Sequence, residues 1–287
     1  MPVTNTSTEA PAPSGPTSPP DVLAHLHELH ARLDATDLRP CPEVDEAFGD
    51  LVQLCTVVDD HLTERLLSTP AVDTLLSSLR SVSARGENEL ERAWARRVIA
   101  ADDPWAELGR FPYLDNYRRL VRFELAGLNA VGADHPGTVV VLGAGPLPLT
   151  GIVLAQHHGV HVTNVDNDTE ACDLASALNR ALGTDTSVDT VCADAGAAAE
   201  LTATATCDAV LLAALVGTDG AAKRGITRRL SSAMRPDALL LTRSSHRLRT
   251  ALYPSVSPDD LDGFTPLVEM HPCDDVVNSA LVARPCR

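Results

Sequence analysis

The stretch Val139–Thr150, VVVLGAGPLPLT, constrains the chain more than any other. Its continuous apolar run is what a strand covered on both faces requires, since such a strand has no solvent side for polar residues. The run breaks at Gly143 and Gly145, which let backbone approach a ligand at the strand's carboxyl end. PLPLTGIVLAQHH comes next, with helical apolar spacing and prolines near its start. Strand, glycine turn and helix in that order make a nucleotide-binding opening.

The carboxyl-terminal half of the chain repeats this grammar. Strands are expected at Thr138–Leu142, Val160–Val165, Ser187–Cys192, Asp208–Leu215 and Ala238–Thr242, with two more around Leu267 and Ala280. Helices fall between them, at about Pro148–His158, Glu170–Leu182, Ala195–Leu201, Ala221–Met234 and Pro258–Asp262. Such alternation predicts an α/β fold, a doubly wound, mostly parallel Rossmann-like domain over residues 134–287, with its ligand at the strands' carboxyl ends.

Upstream the pattern is helical. Asp21–Asp34 repeats leucine at three- and four-residue steps (Leu23, Leu26, Leu29, Leu33), with Asp21 as expected N-cap. Further helices are expected at Val44–Thr63, Val72–Val82 and Glu87–Ala101. Together they predict a helical N-terminal domain over 21–133, joined to the next near Ala133–Gly137. Residues 1–20, rich in Pro, Ser and Thr, are expected as a disordered tail. His27 and His30 share a helix face, which reads as solvated, and no metal site is expected.

Charge narrows the partners. Lys plus Arg total 23 against 39 Asp plus Glu, a net charge of -16, which disfavours nucleic acid and anionic membranes. No apolar run approaches the roughly 20 residues of a membrane span. The seven cysteines are scattered without CxxC spacing, so reduced thiols and a cytoplasmic location are expected. Only three tyrosines occur, and two of them fall within Phe111–Tyr117.

Asp166 lies about 20 residues past the glycine turn, where a carboxylate accepts from ribose hydroxyls. Asp168 follows two residues on. Asp194 and Ala195, after the third strand, suit an adenine amino group, and AALVG, with Leu215, suits a floor beneath the base. A dinucleotide site would place a third glycine against pyrophosphate, whereas Pro146 and Leu147 follow Gly145. An uncharged turn of this kind favours S-adenosylmethionine.

In this order, FPYLDNY (Phe111–Tyr117), VLGAGPLPLTGIVLA (Val141–Ala155), AALVG (Ala213–Gly217), RSSH (Arg243–His246), LYP (Leu252–Pro254) and HPCDDVVNS (His271–Ser279) resemble the nicotianamine synthases. PEVDEAFGDLV and ENELE resemble that family's helical domain. The resemblance implies transfer of the 3-amino-3-carboxypropyl arm of S-adenosylmethionine, used as co-substrate, to an amine or amino acid, with release of 5'-methylthioadenosine. It implies a general base among Glu87, Glu89 and Glu91, matching the family's EGELE, with Glu89 as the choice. It also implies Tyr113 beside that base, and Phe111, Asn116, Tyr117, Arg243 and His246 around the acceptor. Asp275 and Asn278 are expected to tie the loop before the last strand. Leu114 stands where the family commonly has a second tyrosine, so an altered acceptor pocket is expected there.

Rival readings are internal closure of S-adenosylmethionine to azetidine-2-carboxylate, a non-catalytic S-adenosylmethionine-binding module, and an ordinary methyltransferase. A homodimer is left open.

Overall fold

The computed structural model describes residues 18–57, 60–132 and 135–286. Most of the expected tail, and Ala133 with Asp134 of the expected joint, lie outside the described residues. Six helices come first: α1 (Pro19–Asp34), α2 (Pro42–Val57), α3 (Asp60–Leu67), α4 (Pro70–Ile99), α5 (Pro104–Leu108) and α6 (Leu114–Ala130). α1 is capped by Ser18, whose side chain accepts from the Asp21 N–H at 3.4 Å, so Asp21 sits in the first turn and is not the cap. His30 bonds the Ser78 hydroxyl at 2.6 Å.

α4 departs most from the expected elements. It runs unbroken for 30 residues where two helices are expected. Gly86, in the gap between the two expected helices, lies inside it, and the Phe48 ring of α2 packs where a side chain at 86 would stand. Tertiary packing thus offsets the roughly 1 kcal/mol that glycine costs within a helix.

The remaining elements are β1 (Thr138–Leu142), α7 (Leu149–His158), β2 (His161–Asp166), α8 (Thr169–Leu182), β3 (Val188–Cys192), α9 (Thr202–Thr206), β4 (Ala209–Leu212), α10 (Gly220–Ala233), β5 (Leu239–Ser244), β6 (Phe264–Met270) and β7 (Ser279–Pro285). Short 3₁₀ turns occupy Ala197–Glu200, Arg247–Ala251 and Pro258–Asp260. The sheet order is β3-β2-β1-β4-β5-β7-β6. The first five strands are parallel, and β7 inserts antiparallel between β5 and β6. This is the expected Rossmann-like α/β architecture behind a helical N-terminal region.

β1 is buried on both faces. Val139 and Val141 join one core layer with Val121, Leu125 and Leu128 of α6, while Val140 and Leu142 join the other with Leu230 and Met234. Packing therefore crosses the expected joint, since α6 precedes it yet covers the sheet. The N-terminal helices likewise share their core with Leu248, Ala251 and Leu252. β1 ends, as its sequence requires, where these two packed regions meet.

Candidate active site

After Leu142 the backbone turns through Gly143 (φ 77°) and Gly145 (φ 70°), conformations that side-chain-bearing residues rarely adopt. A Cβ at Gly143 would overlap Val216, and one at Gly145 would lie 2.6 Å from Glu91 Oε2. The missing side chains thus let α4 and the loop after β4 close on the turn. Asp166, at the end of β2, fixes it, with Oδ2 accepting from Gly145 N–H at 2.9 Å and Oδ1 from Asp168 N–H at 3.0 Å.

Around this turn lies a cavity of about 340 Å³. Gly143, Gly145, Pro146, Leu147, Asp166, Asp194, Ala195 and Leu215 all line it. A second cavity, of about 360 Å³, adjoins it along α4, lined by Val44, Phe48, Leu90, Phe111, Tyr113 and Asn116 among others. Glu87, Glu91, Tyr117, Tyr253 and Asn278 line both. These five form a partition between a chamber built on the glycine turn and a largely apolar one.

The partition is strongly polarised. Tyr117 donates to Glu91 Oε1 at 3.4 Å, and Tyr253 lies 3.0 Å from each oxygen of Glu87. Glu91 is half-buried and lines both chambers. Burial pushes its carboxyl well above the usual range, and neighbouring Glu87 adds like-charge repulsion. Burial raises Glu87 as well, against the opposing bond from Tyr253. Tyr117 and Tyr253 are held well above the ordinary phenol range, by burial first and the glutamates second, so both remain protonated donors at neutral pH.

Arg243 stands behind the partition. Its guanidinium donates to both oxygens of Glu124, at 2.6 and 3.1 Å, and to Thr150 Oγ1 at 2.7 Å. Burial alone would lower its pKa, but the Glu124 carboxylate more than offsets that, and the charge is locked in. The resemblance places Arg243 around the acceptor, where a guanidinium could grip a carboxylate bidentately. Arg243 spends that geometry on Glu124, although it lines the first cavity and Nη1 enters none of these bonds.

A family profile described as nicotianamine synthase protein matches residues 20–287. The chain belongs to the nicotianamine synthase family. The nicotianamine synthase of Solanum lycopersicum is 35% identical over 276 residues, spanning 91% of this chain and 82% of that protein. Nicotianamine synthase 2 of Arabidopsis thaliana is 35% identical over 267 residues, spanning 92% and 83%. Among solved structures, MtNAS in complex with MTA and tNA superposes with a TM-score of 0.81 at 24% identity, covering 92% of this chain and 98% of that one. One substitution variant of MtNAS, in a structure of its own and in complex with S-adenosylmethionine, superposes similarly.

Within this nicotianamine synthase-family chain, three of the expected site residues fall away from the cavities. Glu89 lines neither chamber. Glu87 and Glu91 share the cleft face of α4, and Glu89, two residues from each, projects about oppositely. His246 stacks on His271, ring centroids 4.1 Å apart, with Nδ1 3.0 Å from Ser279 Oγ, and lines neither chamber. Asp168 caps α8 and pairs with Arg92, a bridge from α8 to α4.

The aromatic cluster is assembled in the second chamber. Phe111 lies edge-on between Trp94 (5.4 Å) and Tyr113 (5.8 Å). Burial raises the Tyr113 phenol, but Tyr117, one turn on, is the tyrosine that reaches the glutamates. Asn116 donates to the Asp275 carbonyl at 2.9 Å. Leu114, where an altered acceptor pocket is expected, is buried in the core with Phe111 and lines neither chamber. Sequence reasoning missed Tyr253, whose only local signal is its place in LYP, and the partner of Arg243. Among the described residues no group of three or more His, Cys, Asp or Glu is arranged to hold a metal, and no helix is long and apolar enough to cross a membrane.

Proposed function

We propose that the chain transfers the 3-amino-3-carboxypropyl arm of S-adenosylmethionine to an amino acid amine and releases 5'-methylthioadenosine. One observation carries this reading: two chambers of similar volume meet at a wall bearing two half-buried glutamates and two tyrosines. The residues of the first chamber fit a nucleoside. Asp166 retains acceptor capacity beyond its two backbone bonds, Asp194 and Ala195 lie past β3, and the glycine turn leaves room where side chains would intrude. These residues take the adenosyl part, and the second chamber takes the acceptor.

In the transfer step the lone pair of the acceptor nitrogen forms a bond to the terminal carbon of the arm. The carbon–sulfur bond breaks, its electron pair neutralises the sulfonium, and the nitrogen loses a proton. Glu91 receives that proton. A carboxylate whose pKa is raised toward the working pH is a better base than a solvated one, and a positioned base contributes on the order of 10² to 10⁴ in rate. Tyr117 orients the receiving carboxylate, and Glu87 with Tyr253 completes the wall. Holding the reacting atoms about 3 to 3.5 Å apart selects the arm over the methyl, which a sulfonium would otherwise surrender more readily.

The apolar chamber beyond the wall supports an external acceptor over internal closure to azetidine-2-carboxylate, which has no use for it. The acidic surface and the seven free cysteines support a cytoplasmic enzyme with small-molecule partners. The deciding experiment incubates the protein with S-adenosylmethionine, with and without single amino acids, and identifies products by mass spectrometry. Methylthioadenosine formed only with an acceptor is expected. S-adenosylhomocysteine would overturn the reading, and methylthioadenosine with azetidine-2-carboxylate in the absence of acceptor would replace it with cyclisation.

A further inference from the structure

Asn278 is expected to tie the loop before the last strand, and the structure gives it a different position. It lies one residue before β7, is 8% exposed, and lines both chambers at the partition. Its amide Nδ2 is buried and finds no acceptor in the protein. Loop-tying falls to its neighbours: Asp274 Oδ1 accepts from Val276 N–H, and Asp275 pairs with Arg119. Buried donors without an acceptor are uncommon in folded proteins and call for a partner.

The surroundings state what that partner is. Glu87 and Glu91 accept from Tyr253 and Tyr117 and make no bond to Asn278, and Arg243, lining the first chamber, directs Nε and Nη2 to Glu124 and Thr150. Asn278 Nδ2 is therefore a neutral hydrogen-bond donor held ready in a wall dominated by carboxylates. A group that must cross this wall carrying an anionic oxygen needs such a donor, because two glutamates otherwise repel it. Resting on the transfer reading, we propose that Asn278 Nδ2 donates to the carboxylate of the aminocarboxypropyl arm and holds the arm across the partition. Asn278 is thus a positioning residue for the arm. It discriminates in favour of a ligand that carries the arm and is indifferent to the adenosine.

The test compares two ligands that differ in the arm. Isothermal titration calorimetry of S-adenosylmethionine and of 5'-methylthioadenosine is run on wild type, Asn278→Leu and Asn278→Asp. Leucine matches asparagine in size and removes the donor, while aspartate replaces it with a further acid. Both variants are expected to bind S-adenosylmethionine at least tenfold more weakly and methylthioadenosine within twofold of wild type. Retained methylthioadenosine binding also reports that a variant is folded. Parallel loss of both ligands in both variants would overturn the assignment in favour of a purely structural loop, and so would unchanged S-adenosylmethionine affinity in either folded variant. Wild-type protein that binds methylthioadenosine but not S-adenosylmethionine would overturn the transfer reading itself, and Asn278 with it.

Discussion

The Tyr117 hydroxyl meets Glu91 Oε1 at 3.4 Å across the seam between α6 and α4, within the partition that separates the two chambers. Neither side chain has this neighbour from its own helix. Glu91→Gln keeps the shape of the wall and removes the base, so turnover should fall at least 100-fold while S-adenosylmethionine affinity stays within a few-fold. Glu89→Gln should retain near-wild-type turnover. Single-turnover rates for the two variants check the pair, and the reverse ranking would return the base to Glu89.

Acidity sets two opposed pH trends. As a base Glu91 works only when ionised, so kcat should rise with pH through a midpoint above its ordinary 4.5. Stability moves the other way. The folded-state pKa is raised, so between 4.5 and that higher value the folded chain keeps a proton that the unfolded chain has lost. The contribution of Glu91 to stability is complete below 4.5 and disappears as pH rises through the folded-state value. Thermal melts of wild type and Glu91→Gln across this range should therefore show the wild type losing Tm relative to the variant.

Gly145→Ala places a Cβ 2.6 Å from Glu91 Oε2 in a left-handed backbone conformation. Backbone strain alone costs about 1 to 2 kcal/mol, and the displaced carboxylate adds loss of rate. Denaturant unfolding should register the first, and turnover well below that of a comparably destabilised surface variant should register the second.

The buried Arg243–Glu124 pair gives a fourth expectation. Arg243→Met strands the Glu124 carboxylate in the interior, and breaking such a pair costs about 3 to 5 kcal/mol. Adding Glu124→Leu should restore much of that stability. Urea unfolding of the two single variants and the double variant forms the cycle that measures the coupling.

Most of the sheet is legible in the sequence because its signals are local. β1 carries apolar residues for both faces, and Gly143, Gly145 and Asp166 fall at the spacing of a nucleotide-binding turn. The illegible features depend on residues far apart in the chain. The 30-residue α4 runs through Gly86 because Phe48, from another helix, fills the space above it. Helical spacing divides Glu87 and Glu91 from Glu89, but no local pattern tells which side meets the cleft; the way α4 packs on the rest of the chain turns its Glu87 and Glu91 face to both chambers. Arg243 lies 119 positions from Glu124, so nothing near it shows that its charge is already taken. Asn278 reads as a turn residue, and only the absence of a partner around its buried amide distinguishes it.

The partition has a consequence for how such proteins diversify. Apart from Glu87, Glu91, Tyr117, Tyr253 and Asn278, the walls of the two chambers are made of different residues. On the transfer reading, substitutions around Phe48 or Val44 can remodel the room proposed for the nitrogen without disturbing the room proposed for the sulfonium. Descendants of one ancestral chain can thus acquire new acceptors one side chain at a time, inheriting the hard chemistry unaltered.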